Sequence, residues 1–154
     1  MRALRRFLQY FIATVLLVTA LGKLLDNRGF AEVLVTYQIP ASFPLLLSLG
    51  LAVSLAELFL ALWLFVGKRL RLAAIFAFIM HLFYAAWSAL SLLRGLQIPN
   101  CGCFGVFLAR PLAWSTVTED LVMTAFCLAL VYLSPPLHHS VNHSVKLASK
   151  NALH

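Results

Sequence analysis

Charge is scarce in this chain, and acidic charge is scarcest: five Asp and Glu against twelve Lys and Arg among 154 residues. Charged residues make up 11% of the sequence, where a soluble domain carries about 25%. With 62% hydrophobic residues and a mean hydropathy of +0.93, that shortage excludes an ordinary soluble domain. Cysteine is scarce too. Two neighbouring thiols, Cys101 and Cys103, are too few to close a zinc site, which takes four ligands. No metal site is expected. Gly-rich phosphate loops, nucleotide fingerprints and aromatic–basic nucleic-acid surfaces are absent. The formal net charge of +7 therefore does not indicate a nucleic-acid partner.

What is present is a set of four long apolar runs. They cover about Phe7 to Leu25, Phe43 to Val66, Leu70 to Leu93 and Ser115 to Leu133. Each approaches the roughly 20 residues a bilayer span requires. Pro135-Pro136 stops the last, because proline cannot extend a helix hydrogen-bond ladder. The fold class expected is all-α: a polytopic four-transmembrane-helix bundle over residues 1–134. Residues 135–154 form a polar tail, expected to be cytoplasmic and poorly ordered. Phe30, Val33, Leu34 and Tyr37 recur at helical spacing, which predicts a short interfacial helix in the first outer loop.

Basic residues orient the bundle. Arg2, Arg5, Arg6, Lys68, Arg69, Arg71, Lys146 and Lys150 fall on one side; Lys23, Arg28, Arg94 and Arg110 fall on or near the other. The positive-inside rule then places both termini in the cytoplasm of a bacterium and the Cys101 loop outside. The first run also resembles a secretory signal peptide, ending Val18-Thr19-Ala20. We read it as a retained span, because the bundle needs a fourth helix.

The outward loop carries Asn100-Cys101-Gly102-Cys103-Phe104-Gly105. Two cysteines one residue apart pair only across a sharp turn, and Gly102 permits that turn. The resulting ring is small and strained, which favours exchange over bracing. An outer loop faces an oxidising compartment, where disulfides are made. Cys101 and Cys103 are therefore the leading redox candidates. Cys127, deep in the last span, reads as a packed small hydrophobe.

Ionisable groups within spans are costly and each is a candidate. Glu57 and His81 lie at matching depth, roughly 15–18 Å from the turn between the second and third spans at 1.5 Å per residue. They are expected to meet. Such a pair can relay a proton or hydrogen-bond a quinone; the alternative is a pair that only fixes helix register. Lys23 is expected to pair with Asp120 near the thiols and to favour the thiolate there. The alternative for Lys23 is snorkelling to the interface. Thr116 and Glu119 have capping-box spacing. The tail histidines, His138, His139, His143 and His154, read as solvated. The sequon Asn142-His143-Ser144 falls on the inside and is discounted.

Together these residues resemble the MauE family of methylamine utilisation membrane proteins, within the DoxX-like group. The carriers are Gly22-Lys23, Phe30 to Pro40, Ala56-Glu57-Leu58, Cys101-Gly102-Cys103-Phe104-Gly105, Trp114-Ser115 and Asp120. The resemblance spans about residues 7 to 134. It implies an inner-membrane protein for oxidative maturation of the disulfide-rich small subunit of methylamine dehydrogenase, beside a thioredoxin-like periplasmic partner. On that reading Cys101 and Cys103 exchange disulfides, Lys23 favours the attacking thiolate and Asp120 orients Lys23 or shuttles protons. Two rivals stay open. One is a quinone-linked oxidoreductase of small sulfur compounds. The other is a non-enzymatic assembly or scaffold subunit whose cysteines brace the loop.

Overall fold

A computed structural model describes residues 1–135, and the expectations for the tail lie outside the described residues. It contains five helices: α1 (Arg2–Leu25), α2 (Asn27–Thr36), α3 (Phe43–Val66), α4 (Leu70–Leu93) and α5 (Trp114–Leu133). Four of them, all but α2, are long and apolar enough to cross a membrane. Among the described residues the protein is an all-helical, multi-pass membrane bundle. The expected bounds of α3 and α4 coincide with the observed ones. α1 begins earlier than the apolar run, because its arginine-bearing first turn continues the same helix beyond the hydrocarbon.

Each long helix divides its faces. On α1, Leu8, Ile12, Leu16 and Ala20 are buried at helical spacing while Phe7, Tyr10 and Val18 are exposed. On α3, which is apolar all round, Leu46, Leu60 and Leu64 turn inward and Leu51, Leu55, Phe59 and Leu62 turn outward. Outward leucines and phenylalanines suit lipid tails, which need no polar partner. α1 packs chiefly on α3, and α4 chiefly on α5. The contacts between α3 and α4 and between α1 and α5 are lighter.

The turn between α3 and α4 is tight. Gly67 (φ +71°) and Arg69 (φ +51°) both take the left-handed conformation, and the Gly67 N–H donates to the Trp63 carbonyl. At the other end, α2 follows α1 after a break at Asp26, whose side chain accepts from the Gly29 N–H at 2.8 Å. The expected short helix between the first two spans is α2. It folds back on α3 and buries Phe30, Ala31 and Val33.

Two apolar cores result. One, towards the arginine-rich end, joins all four long helices around Ile12, Leu16, Leu64, Ala74, Cys127 and Leu130. The other lies under α2 and gathers Phe30, Val33, Tyr37, Ile98, Cys101 and Leu112. The buried ionisable residues sit between them. Cys127 is wholly buried in the first core, as a small hydrophobe would be.

Candidate functional site

The site begins with the loop from α4 to α5. Asn100 organises it from both sides: its Oδ1 accepts from the Gly102 N–H at 2.9 Å, and its Nδ2 donates to the Gly105 carbonyl at 3.1 Å. Backbone bonds from Cys101 N–H to the Arg110 carbonyl (2.8 Å) and from Leu112 N–H to the Ile98 carbonyl (2.9 Å) close its base. Tyr37 on the α2 side donates its hydroxyl to the Cys101 carbonyl at 2.8 Å. The loop is thus held by side chains and backbone from three directions.

Gly102 takes φ +75°, and this turn brings the Cys101 and Cys103 sulfurs to 2.9 Å as two unbridged thiols. Gly105 has a different role. A Cβ on Gly105 would lie 2.1 Å from the Gly22 carbonyl oxygen, and one on Gly22 would lie 2.5 Å from that of Phe104. The end of α1 and the thiol loop therefore meet backbone to backbone, which only glycine at both places allows. Two sequence motifs far apart in the chain, Gly22-Lys23 and Cys-Gly-Cys-Phe-Gly, are one contact in space.

The two thiols are unequal. The hydrogen bond from Cys103 holds the Cys101 thiol down to about 6, against burial and with help from Arg110. The same bond, then burial, pushes Cys103 well above the ordinary thiol range. Cys101 is thus the sulfur favoured to ionise, with Cys103 as its protonated partner. Arg110 is fixed by both carboxylate oxygens of Glu119 and lies 5.9 Å from the Phe104 ring centroid. Glu119 does not cap α5 as the spacing predicted; it engages Arg110 instead, and no side chain caps that helix.

Below the loop the expected ion pairs are exchanged. Lys23 does not pair with Asp120; its Nζ lies 2.5 Å from Glu57 Oε1, with both groups buried. Glu57 is not hydrogen-bonded to His81; it accepts from the Tyr84 hydroxyl at 2.6 Å. His81 instead faces Asp120, Nδ1 to Oδ1 at 3.6 Å. The cause is side-chain direction. Helical side chains lean towards the N-terminus of their own helix. Gln9 Nε2 donates to the Leu64 carbonyl at 2.7 Å and sets the register of α1 on α3. Lys23 then stands about 10 Å nearer the thiol end than Glu57, at 1.5 Å per residue. On antiparallel helices the two side chains lean towards each other and close that gap. The same lean lifts Glu57 past His81 to Tyr84, one turn further along α4.

Lys23 is neither solvated nor snorkelling. Its Nζ lies 5.6 Å from the Phe30 ring centroid and 5.5 Å from that of Tyr84, so aromatic faces replace the water it has lost. Glu57 Oε2 is buried with no hydrogen-bond partner, as are both ring nitrogens of His81. A cavity of about 330 Å³ joins these elements. Lys23, His81, Tyr84, Cys101, Cys103, Arg110 and Asp120 all border it, among mostly apolar walls. Of the residues singled out from sequence, Cys101, Cys103, Lys23, Asp120 and His81 thus share one cavity, and Glu57 joins them through Lys23 and Tyr84. Arg110, Tyr84, Tyr37 and Asn100 were missed. Asn100 carried a signal, since Asn two residues before Gly suits a side-chain-closed turn.

Comparison with known proteins gives two matches. The family model described as methylamine utilisation protein MauE matches residues 1–133. The chain is 33% identical, over 125 residues, to the methylamine utilization protein MauE of Paracoccus denitrificans. That alignment covers 80% of this chain and 66% of the relative, so the chain spans just under two thirds of the relative's length. No solved structure matches.

Proposed function

This chain belongs to the MauE family, and from that premise we propose that it is a membrane thiol–disulfide protein supporting oxidative maturation of periplasmic proteins, with a role in methylamine utilisation. It sits in the bacterial inner membrane with both termini cytoplasmic and the Cys101 loop in the periplasm. The observation that carries the reading is the unequal thiol pair. The hydrogen bond between Cys101 and Cys103, at 2.9 Å, favours ionisation of Cys101 over Cys103, in a loop whose other contacts fix it in place. A thiolate beside a protonated partner is the reduced form of an exchanging dithiol.

The client is a disulfide-rich periplasmic protein, such as the small subunit of methylamine dehydrogenase, reached through a thioredoxin-like periplasmic partner. In each turnover a partner thiolate attacks one sulfur of the Cys101–Cys103 disulfide. A mixed disulfide forms and the other sulfur leaves as thiolate. The second partner thiol then displaces the mixed bond, which leaves the partner oxidised and this pair reduced. Lys23 and Arg110 place positive charge beside the reduced pair. Asp120 and His81 offer a route for protons from the same cavity.

The test is trapping. Cys103→Ser leaves Cys101 without its resolving sulfur, so a mixed disulfide with a periplasmic partner should accumulate and disappear on reduction. A variant that traps nothing, together with full function after serine replacement at both positions, would leave the scaffold reading in its place.

A further inference from the structure

We propose that the cavity under the thiol loop is the binding site for a lipid-soluble quinone that reoxidises Cys101 and Cys103. This inference rests on the thiol–disulfide reading and names its electron acceptor. An exchanging dithiol that oxidises others must itself lose two electrons in every turnover. The acceptor has to reach a site inside a membrane bundle, and the cavity limits what it can be.

Three observations bear on the occupant. The walls are mostly apolar, with side chains such as Leu49, Val53 and Phe83. The volume of about 330 Å³ is at the small end of ligand pockets, which run roughly 300–1,000 Å³. It has room for one substituted ring and not for a peptide. Finally, His81 is 5% exposed, borders the cavity, and neither ring nitrogen has a hydrogen-bond partner. A buried N–H left without an acceptor is costly, and a ligand carbonyl would relieve it. A planar ring carrying carbonyl oxygens fits the walls, the space and the donor. A lipid acyl chain fits the walls and the space but leaves both ring nitrogens of His81 without a hydrogen bond.

The chemistry balances. Cys101 enters as thiolate and Cys103 as thiol. The S–S bond forms as two electrons pass to the quinone. The Cys103 proton goes to one quinone oxygen, giving the quinol anion. A second proton, drawn from solution by way of His81 beside Asp120, completes the quinol. The sulfurs are oxidised, the ring is reduced, and no other reactant is needed.

The probe is decylubiquinone, whose ring positions are all substituted, so thiols cannot add to an open carbon. Reduced protein in nanodiscs should lose its two loop thiols in step with quinol formation. Val53→Trp fills the cavity and should slow that oxidation at least about tenfold. Leu55→Trp, on the lipid-facing side of α3, should leave it unchanged. An azido-quinone should label residues on the cavity face of α3 or α4. Should Val53→Trp be poorly folded, the label alone decides. Wild-type protein whose disulfide is reduced by a soluble dithiol, but whose thiols decylubiquinone does not oxidise, overturns the quinone site and leaves the exchange reading intact. Protein that fails with both overturns the two together. Oxidation at equal rates in wild type and Val53→Trp, or labelling confined to lipid-facing residues, also overturns the site and points to an acyl chain as the occupant.

Discussion

Lys23 and Glu57 form a buried ion pair, Nζ to Oε1 at 2.5 Å, that ties the thiol end of α1 to the middle of α3. Neither residue could be left there alone. Removing one partner of such a pair costs about 3–5 kcal/mol, because the other charge stays buried without compensation. Replacing both with apolar residues of similar size is often neutral.

Lys23→Met alone and Glu57→Gln alone should each lower the thermal unfolding midpoint in detergent. The double variant Lys23→Met with Glu57→Leu should recover most of the loss. If the double variant is as unstable as the sum of the singles, the pair is not what holds these helices together.

Reduced protein should react with iodoacetamide at Cys101 with an inflection near pH 6, where burial would otherwise have raised it. Cys103→Ala removes the main cause, the thiol hydrogen bond, and should move the inflection up towards the ordinary thiol value of about 8.5. Cys103→Ser keeps a donor and should move it less. Arg110→Met should also raise it, by a smaller amount, since a lost cation disfavours the anion. An inflection unchanged in Cys103→Ala would refute the assignment of Cys101 as the thiolate.

In oxidising medium, maleimide should label neither loop cysteine until reductant is added. Cys127 should stay unlabelled until the protein is unfolded, because it is fully buried among apolar side chains. Equal labelling of Cys101 and Cys103 without reductant would remove the case for a disulfide.

Reporter fusions after Val66 should be active as cytoplasmic markers, and fusions after Gly95 as periplasmic ones. The expectation comes from the basic residues of the α1 start and the α3–α4 turn, against the sparser charge at the other end. The reverse pattern would put the thiols in a reducing compartment.

Gly105→Ala introduces a Cβ at φ +67° that would lie 2.1 Å from the Gly22 carbonyl oxygen. Strain of about 1–3 kcal/mol is expected, enough to displace the loop from α1. Hydrogen exchange at Gly102 to Gly105 should quicken, and Cys101 alkylation should lose its low-pH inflection. A loop that exchanges at the wild-type rate would mean that the backbone contact is slack.

The spans were legible because lipid asks one thing of a helix: a sufficient apolar run. α3 and α4 could therefore be bounded closely from the apolar runs themselves and the basic turn between them. The residues of the site were mostly legible for the complementary reason, that an ionisable group or a thiol pair stands out in such a sequence. Their partners were not. Counting 1.5 Å per residue locates a Cα, while the functional atoms of Lys23, Glu57 and His81 lie several bonds away in a direction set by helix polarity. The count made Glu57 meet His81; the lean makes it meet Lys23 and Tyr84. Arg110 was overlooked for another reason. It lies in an irregular loop, where no period tells which way a side chain points.

The facing glycines, Gly22 and Gly105, bear on any attempt to move this chemistry elsewhere. The Cys-Gly-Cys-Phe-Gly segment is one half of a fitted joint, and the other half is a bare helix end. Grafted alone onto a different bundle, it would find a Cβ where it needs open backbone and would not seat. A recipient would have to receive the end of α1 as well, and Lys23, the next residue after Gly22, would come with it. The thiols and the buried cation are inherited as a set.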